Sequence, residues 1–380
     1  MTTVFHGAAV FDGTRLHPDA ALVVERGRVA AILPPDEAPA GARVHLAGGV
    51  LAPGFVDLQV NGGGGVMLND RPDLEGIRTI CAAHARLGTA GLLPTLITDT
   101  PATTRAAIAA GLAAAAEGVP GFLGLHLEGP HLDPRRKGAH DPRLIRPMQA
   151  GDLALLLDAA RRLPALVVTL APAAATAAQI GALAAAGAVV SLGHSEATAA
   201  EAAAAFAAGA RMVTHLFNAM SQLGSREPGL VGAALDAEGV RAGLIADGIH
   251  VAPATMRVAL AARRGADGIF LVSDAMAVAG TDLDAFTLNG RRILRRGGRL
   301  TLADGTLAGA DLDPLAAVRT LVAAGATLPA ALAMATSVPA SAIGRDDLGR
   351  LAPGLPADLV HLDEELALAG VWRAGAPLTS

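Results

Sequence analysis

Four residues that close short apolar runs carry side chains suited to bind a metal and to move a proton: Glu128, His194, His215 and Asp274. One glutamate and two histidines are a good ligand set for a divalent metal that keeps an open position for water. Metal binding lowers the pKa of such a water toward ~7 in favourable sites, and a nearby aspartate can accept its proton and later protonate a leaving amine. This combination predicts hydrolysis of an amide or a related C–N bond.

The long intervals between these residues favour successive strands of a barrel over a compact zinc-binding module. Taken singly, each histidine is more often a hydrogen-bonded structural residue than a ligand, whereas a buried unpaired carboxylate is rarer because its burial is costly. The four residues close the third, fifth, sixth and eighth predicted strands. The strands of a (β/α)8 barrel end at one rim, so we expect these side chains to converge there.

The chain from residue 50 to residue 340 alternates between apolar strands and helical segments. The predicted strands are continuous apolar runs, as expected for strands buried on both faces: 54–60, 91–97, 122–129, 166–172, 188–194, 212–218, 241–248 and 268–275. Helices are predicted between them, for example over 74–87, 102–116, 152–163 and 197–208. Eight such strands favour an α/β TIM barrel, although periodicity leaves an open doubly wound sheet possible.

Both ends of the chain have a different pattern. Residues 1–49 and 341–380 alternate apolar and polar residues around turn pairs, which predicts one small β-sandwich domain built from the two ends. A further hairpin insertion is predicted at about 284–307, with turns at Asn289-Gly290 and Gly297-Gly298. Its several arginines could bind an anion, but a solvated hairpin is the more ordinary interpretation.

Composition argues against several classes of partner. The 380 residues carry a formal net charge of -5, which gives no support for a nucleic-acid-binding face. Cys81 is the only cysteine, so no internal disulfide can form and a reducing, cytoplasmic setting is expected. No signal peptide is evident at the N-terminus. The uncharged stretch 164–194 contains proline, glutamine and glycines, and it fits a strand, a helix and a strand better than a membrane span.

Further polar residues follow the predicted strands. His140 lies beyond the third strand, Asn218 follows the sixth, and His250 follows the seventh. Arg226 and His250 would suit a phosphate, with backbone N–H groups near Ala219 as additional donors. For Arg226 alone, a surface ion pair with Glu227 or another neighbour is the simpler expectation.

These residues stand in motifs that resemble the N-acetylglucosamine-6-phosphate deacetylase family of the amidohydrolase superfamily. The motifs span nearly the whole chain: Ala52-Pro-Gly-Phe-Val-Asp-Leu-Gln-Val-Asn-Gly62, His126-Leu-Glu-Gly-Pro130, Lys137-Gly-Ala-His140, Leu192-Gly-His-Ser195, Thr214-His-Leu-Phe-Asn-Ala-Met220, Arg226-Glu-Pro-Gly229, Ala246-Asp-Gly-Ile-His250 and Ser273-Asp274. The resemblance implies a barrel with a small β domain, a homodimer, and removal of acetate from a sugar phosphate.

The resemblance also implies a role for individual positions. It makes Glu128, His194 and His215 the metal ligands, Asp274 the catalytic acid and base, and His140 a catalytic group beside the acetyl carbonyl. The positions implied to contact the sugar phosphate, some of them across the dimer, are Ala139, His140, Asn218, Ala219, Arg226, His250 and Leu307.

This chain departs from the wider superfamily in its metal-binding pattern. Many amidohydrolases have His-x-His at the end of the first strand, where this chain has Gln59-Val-Asn61, and the fourth strand offers no lysine as a bridge. One divalent metal per subunit is therefore expected, with Gln59 near it. Zn²⁺ is the first choice, and Fe²⁺, Co²⁺ and Mn²⁺ remain open. Ala173 replaces a family glutamate, and Asp141 places a carboxylate beside His140, where it could raise the pKa of that histidine.

Three other functions remain open from the sequence. The first is deacetylation of the galactosamine isomer. The second is cyclic-amide hydrolysis, which Gln59, Asn61 and the missing lysine disfavour. The third is a non-catalytic sugar-phosphate binder, which the complete ligand set and Asp274 disfavour because a binder needs no general base.

Overall fold

The computed structural model describes residues 1–378 and contains the predicted barrel. Eight parallel strands lie side by side in chain order: Phe55–Val60, Thr89–Ile97, Leu125–Glu128, Leu166–Leu170, Val189–Leu192, Met212–Val213, Arg241–Leu244 and Ile269–Leu271. The sheet closes because Val60 forms a parallel bridge with Ala275, and the Asp274 N–H donates to the Gln59 carbonyl at 3.0 Å. Closure confirms the TIM barrel and removes the open-sheet alternative.

Helices connect the strands and cover the outside of the barrel. Their bounds are Leu74–Arg86, Pro101–Ala116, Ala150–Arg162, Ala177–Ala185, Ala199–Ala208, Gly229–Asp236, Pro253–Ala262, Pro314–Ala323, Leu328–Ala335 and Ser337–Ala342. Short 3₁₀ turns lie at Pro35–Glu37 and Pro134–Arg136. Pro101 and Pro253 start their helices, where a missing N–H costs nothing. Thr176 and Thr198 begin two others through reciprocal capping boxes.

Several barrel strands are shorter at their carboxyl ends than the apolar runs predicted. The sixth is the extreme case, since 212–218 was expected and only Met212–Val213 pairs as strand. The chain turns away at His215 and Phe217, whose φ angles are 32° and 76°. Leu216 lies in this loop and is apolar and buried, so an apolar run overstates the length of the strand that precedes it.

The small β domain consists of two packed sheets. The four-stranded sheet has the order Arg28–Leu33, Ala21–Glu25, Thr2–His6, Ala42–His45. The six-stranded sheet has the order Ala376–Pro377, Leu368–Arg373, Leu359–Leu362, Val50–Pro53, Ala9–Phe11, Leu16–His17. Leu51 and Leu359 pack between the two sheets, whereas Val50 and Val360 belong to the main core. Successive side chains of a strand point to opposite faces, so one face of the six-stranded sheet packs inside the sandwich and the other packs against the main core. The division at 49/50 and 340/341 stays a prediction.

A four-stranded antiparallel insertion covers part of the carboxyl-terminal rim. Its strands are Ala285–Leu288, Arg291–Arg296, Arg299–Thr301 and Leu307–Ala310. Asn289 and Gly290 have φ of 48° and 75°, and Gly297 and Gly298 have 55° and 74°, so both predicted turn pairs form hairpin turns with positive φ. Leu288, Ile293 and Leu300 pack with Met276 and Ile97 of the barrel. A two-stranded ribbon, Gly62–Gly63 with Val66–Met67, lies after the first strand.

The uncharged stretch forms the elements expected of it. It contains the strand Leu166–Leu170, the helix Ala177–Ala185 and the strand Val189–Leu192. Across residues 1–378, no helix has both the length and the apolar character needed to cross a membrane.

Candidate active site

The barrel brings the four residues identified first to one rim. Glu128 is the last residue of the third strand, His194 and His215 lie just past the fifth and sixth, and Asp274 lies just past the eighth. All four side chains are buried and line one cavity of about 250 Å³. Parallel strands point their carboxyl ends in one direction, which is why residues so far apart in sequence meet here.

Three of the four offer ligand atoms to a common point. Glu128 Oε1 lies 3.1 Å from His194 Nε2 and 3.0 Å from His215 Nε2, and the two Nε2 atoms are 3.0 Å apart. An ion about 2.0–2.2 Å from each atom fits above a triangle of this size, with further positions open toward the cavity. Among the described residues, this is the one cluster of three or more ligand side chains close enough to hold an ion.

The protonation of His194 supports a cation in this position. Its Nδ1 lies 2.8 Å from the Arg136 carbonyl oxygen, which can only accept a hydrogen bond, so Nδ1 carries the proton. In the neutral ring, Nε2 is then a bare lone pair that faces the Glu128 carboxylate. Two acceptors at that distance repel each other unless a cation or a second proton lies between them. The donor set therefore fits a divalent metal, and the carbonyl of Arg136 fixes the ring for it.

The charges around Glu128 are consistent with this arrangement. Burial alone would raise the pKa of the Glu128 carboxyl, but the close approach of the His194 and His215 rings, with a proton or a cation between them and the carboxylate, outweighs burial and holds the pKa well below its usual value. Glu128 is therefore a carboxylate at neutral pH, as a metal ligand must be.

Asp274 is held from several directions. Its Oδ1 accepts hydrogen bonds from Asn61 Nδ2 at 2.7 Å and Gln59 Nε2 at 3.1 Å. Gln59 also donates to Glu128 Oε1 at 3.2 Å, so it lies beside the candidate ligand set. Burial, and then the charge of Glu128, raise the pKa of Asp274 to about 6. A carboxyl with a pKa in this range can both take and return a proton near neutral pH.

His140 presents a proton to the cavity. Its Nδ1 accepts the backbone N–H of Thr98 at 3.3 Å and lies 2.8 Å from Thr98 Oγ1, so the neutral ring carries its proton on Nε2. Burial, followed by the nearby His194, holds the pKa of His140 well below its usual value, which keeps the ring neutral. A neutral Nε2–H is a hydrogen-bond donor for a carbonyl oxygen.

The expectation that Asp141 would raise the pKa of His140 is wrong. The Asp141 carboxylate forms a bidentate pair with Arg143, with an Nη2–Oδ2 distance of 2.7 Å. Those hydrogen bonds lower the pKa of Asp141 to about 2, while the pKa of His140 moves down because of burial. Adjacency in sequence did not place the two side chains together.

Most of the remaining predicted residues line the same cavity. Ala139, Asn218, Ala219, His250 and Leu307 all do so. His250 Nδ1 lies 2.6 Å from Asp247 Oδ2, which orients the ring. Arg226 is different: it is exposed and is not a lining residue of this cavity in its own chain. Within residues 1–378, Arg226 does not form the surface ion pair expected as the simpler alternative, and Glu227 accepts hydrogen bonds from the backbone of Ala199 and Gly229.

The cavity contains residues that sequence reasoning had not placed there. They are Asn61, Ile97, Gly138, Ile245, Met276, Thr306 and Gly309. Asn61 had been noted as a departure from the His-x-His pattern, and its position two residues after Gln59 on one strand face was the available signal. Thr306 and Gly309 come from the insertion, and nothing in their types distinguishes them from ordinary hairpin residues.

A chain of buried hydrogen bonds crosses the barrel beneath the ligands. The Leu58 carbonyl can only accept, so His126 Nδ1 donates to it at 3.2 Å. Burial lowers the pKa of His126 to about 4, and Nε2 of the neutral ring accepts from Thr169 Oγ1 at 2.7 Å. Thr169 then accepts from Thr214 at 2.6 Å, and Thr214 accepts from Ser191 at 2.6 Å. Each hydroxyl proton has one possible direction, and the chain connects four strands with Thr214, the residue after the sixth strand.

Comparison with known proteins agrees with this geometry. The model of the amidohydrolase family matches residues 50–379. An N-acetylgalactosamine-6-phosphate deacetylase of Shewanella sp. (strain ANA-3) is 40% identical over 87% of this chain and 84% of its own length. An N-acetylglucosamine-6-phosphate deacetylase of Haemophilus influenzae is 35% identical over 90% of each. The crystal structure of N-acetylglucosamine-6-phosphate deacetylase from Pasteurella multocida superposes with a TM-score of 0.95, at 33% identity and 100% coverage of both chains.

Proposed function

The chain belongs to the amidohydrolase family, and on that premise we propose that it hydrolyses the N-acetyl group of N-acetyl-D-glucosamine 6-phosphate. The products are glucosamine 6-phosphate and acetate, which places the enzyme in amino-sugar metabolism. The observation that carries the proposal is the convergence of Glu128, His194 and His215 beside Asp274 in one buried cavity.

Glu128, His194 and His215 would hold one divalent cation, which would supply Lewis-acid activation of water and of the acetyl carbonyl when bound. Asp274 accepts a proton through Oδ2, because Oδ1 is already bound by Gln59 and Asn61. His140 donates its Nε2–H to the acetyl carbonyl oxygen, where negative charge develops. Water adds to the carbonyl carbon, the C–N bond breaks, and Asp274 returns the proton to the leaving nitrogen. Acetate and the amine are released.

The other cavity residues hold the sugar phosphate in this proposal. His250, which Asp247 orients, binds the phosphate together with backbone N–H groups near Ala219. Asn218 contacts the sugar, and Ala139 and Leu307 contribute mainly backbone. Arg226 is exposed and lies outside the cavity of its own chain, so we place it across a homodimer, at the phosphate of the partner's site. Sedimentation of the purified protein tests the dimer directly.

Zn²⁺ is the proposed metal, because one carboxylate and two imidazoles are ligands that zinc accepts with a position left open. Fe²⁺, Co²⁺ and Mn²⁺ bind the same donor atoms. A cytoplasmic location is proposed from the single cysteine, Cys81, which is buried and excludes an internal disulfide.

The deciding experiment is acetate release from both N-acetylhexosamine 6-phosphates and from the unphosphorylated sugars, on protein of measured metal content. The glucosamine 6-phosphate derivative should be hydrolysed fastest, and removing the phosphate should raise KM. Asp274→Asn is the matched control, with turnover expected to fall at least about 10²-fold while metal stays bound. No acetate release from any of these compounds by metal-loaded protein would refute the proposal.

A second candidate is the galactosamine isomer as preferred substrate. The Shewanella relative reported above, whose name specifies that isomer, is more identical to this chain than the Haemophilus relative. The two sugars differ only in the configuration at C4, so the substrate panel separates them by the ratio of kcat/KM.

A further inference from the structure

Asn61 lines the cavity, and only one of the two polar atoms of its side-chain amide forms a hydrogen bond with the described residues. The side chain is 1% exposed, and Nδ2 donates to Asp274 Oδ1 at 2.7 Å, the shorter of the two hydrogen bonds to that oxygen. The other end of the same amide, Oδ1, is buried without any hydrogen-bond partner among the described residues.

The orientation of the Asn61 amide follows from its neighbour Asp274. Turning the amide over is unfavourable, because Asn61 Oδ1 would then face the Asp274 carboxylate, and two acceptors would meet. The hydrogen bond to Asp274 therefore sets the orientation of the Asn61 amide.

The backbone of Asp274 is fixed independently of Asn61. The Asp274 N–H donates to the Gln59 carbonyl at 3.0 Å, and its carbonyl accepts from Ala310 at 3.0 Å. What the backbone does not determine is which carboxyl oxygen faces the substrate. Both side-chain donors reach Oδ1, and no donor within residues 1–378 reaches Oδ2.

We infer that Asn61 is a positioning residue for deacetylation: its amide holds Oδ1 of Asp274, so that Oδ2 alone is presented to the attacking water and the leaving nitrogen. This role rests on the proposed function. Gln59 shares the contact but also donates to Glu128, a metal ligand, so its loss disturbs two groups. Asn61 has no such second contact, and its effect should be confined to proton transfer.

The leaving group supplies a sensitive readout. An amide nitrogen leaves poorly unless it is protonated, whereas the oxygen of an ester needs less assistance. A misplaced Asp274 carboxyl should therefore slow hydrolysis of the 2-acetamido sugar phosphate more than that of its 2-O-acetyl analogue. A defect in metal binding or folding would slow both to a similar degree.

The experiment compares wild type, Asn61→Leu and Gln59→Leu, all metal-loaded, with both substrates, and measures metal content and melting temperature. For Asn61→Leu we expect kcat on the amide to fall about tenfold or more, as for the loss of a hydrogen bond to a charged group. KM, metal content and melting temperature should stay near wild type, and the loss on the ester should be clearly smaller. Gln59→Leu should lose metal affinity as well.

Unchanged kcat in Asn61→Leu would overturn the inference while leaving the proposed function intact. Equal losses on amide and ester, or a loss that follows metal content or melting temperature, would also overturn it, because Asn61 would then be structural. A wild-type enzyme that released no acetate from either compound would refute the proposed function and this inference with it.

Discussion

Three of the four residues at the centre of the site stand on left-handed backbone. The φ angles of His194, His215 and Asp274 are 46°, 32° and 51°, a region that costs non-glycine residues about 1–3 kcal/mol each. Each residue comes just after its strand, where the chain must turn away from the barrel while the side chain still points at the cavity. The hydrogen bonds around Asp274 and the Arg136 contact to His194 hold these conformations in place.

Asp57 gives a residue-scale test that depends on pH. Its carboxylate is fully buried and accepts the backbone N–H groups of Gln59 and Ser273 at 3.2 Å, and burial raises its pKa from 3.8 to about 7. The folded protein therefore keeps this proton up to higher pH than the unfolded chain does. Its contribution to stability is complete below about pH 4 and is lost as pH rises toward 7.

The comparison is between wild type and Asp57→Asn, which has no proton to lose at this position. Between about pH 4 and 7, the unfolding free energy of the wild type should fall relative to the variant by up to about 1.4 kcal/mol per pH unit. Above that range the two curves should run parallel. Urea unfolding across the range measures the difference, and parallel curves throughout would show that Asp57 is ionised when folded.

Sequence could predict that the candidate ligands converge, but not all of their surroundings. Glu128, His194 and His215 were recognisable because each closes an apolar run, and closed barrels bring such ends together. Asp141 pairs with Arg143 two residues away, and the local sequence did not distinguish that partner from His140. Thr169 could not be assigned a role, because threonine is an ordinary strand residue and only the closed barrel places it between His126 and Thr214.

At the scale of elements, the buried hydrogen-bond chain connects strands that carry the ligands. Thr169→Val, which keeps the shape of the side chain, would leave His126 Nε2 without a donor and Thr214 without an acceptor. Ser191→Ala, at the end of the chain, would leave only one group on Thr214 unpaired. At about 1–3 kcal/mol per unsatisfied buried group, Thr169→Val should be the more destabilising. Chemical denaturation of both variants checks the order, and equal losses would contradict the directed chain.

The insertion contributes a second element-scale prediction at Gly309. Its φ is 66°, and a Cβ there would meet Met276 Cγ at 2.6 Å and the Asp274 carbonyl oxygen at 2.9 Å. Gly305 has a φ of 84° with nothing within 4 Å, so it is a matched control for backbone strain alone. Both alanine variants should lose about 1 kcal/mol of stability from strain, but only Gly309→Ala should also lower kcat. Similar turnover in the two variants would show that the loop bearing Asp274 tolerates the contact.

At the scale of the whole molecule, the metal should act as a stabilising ligand of the native state. Glu128, His194 and His215 come from three strands, so the unfolded chain cannot reproduce their arrangement. An ion present at ~1,000 times its Kd stabilises by about 4 kcal/mol. Chelation should therefore lower the melting temperature of wild type and of Asp274→Asn alike, and much less that of Glu128→Gln. A large chelation effect in Glu128→Gln would argue against Glu128 as a ligand.

The overall architecture was the most predictable level, and the reason is visible in the strands. Strands buried on both faces leave continuous apolar runs, and their number and the intervening helices limit the possible folds. Strand lengths were less accessible, as the sixth strand shows, because buried loops are as apolar as the strands they follow. The insertion turns were predictable since asparagine and glycine pairs accept positive φ.

The pairing of the two chain ends has a consequence for how the protein is made. Val50–Pro53 pairs on one side with Ala9–Phe11 and on the other with Leu359–Leu362. The second partner is synthesised some 300 residues after Val50–Pro53. Synthesis proceeds at about 5–20 residues per second, so one edge of Val50–Pro53 stays unpaired for on the order of tens of seconds. The barrel strands can pair during this interval, while the open edge of Val50–Pro53 in the six-stranded sheet stays exposed to other nascent chains. Synthesis speed and chaperone occupancy at that edge would therefore affect the yield of folded protein.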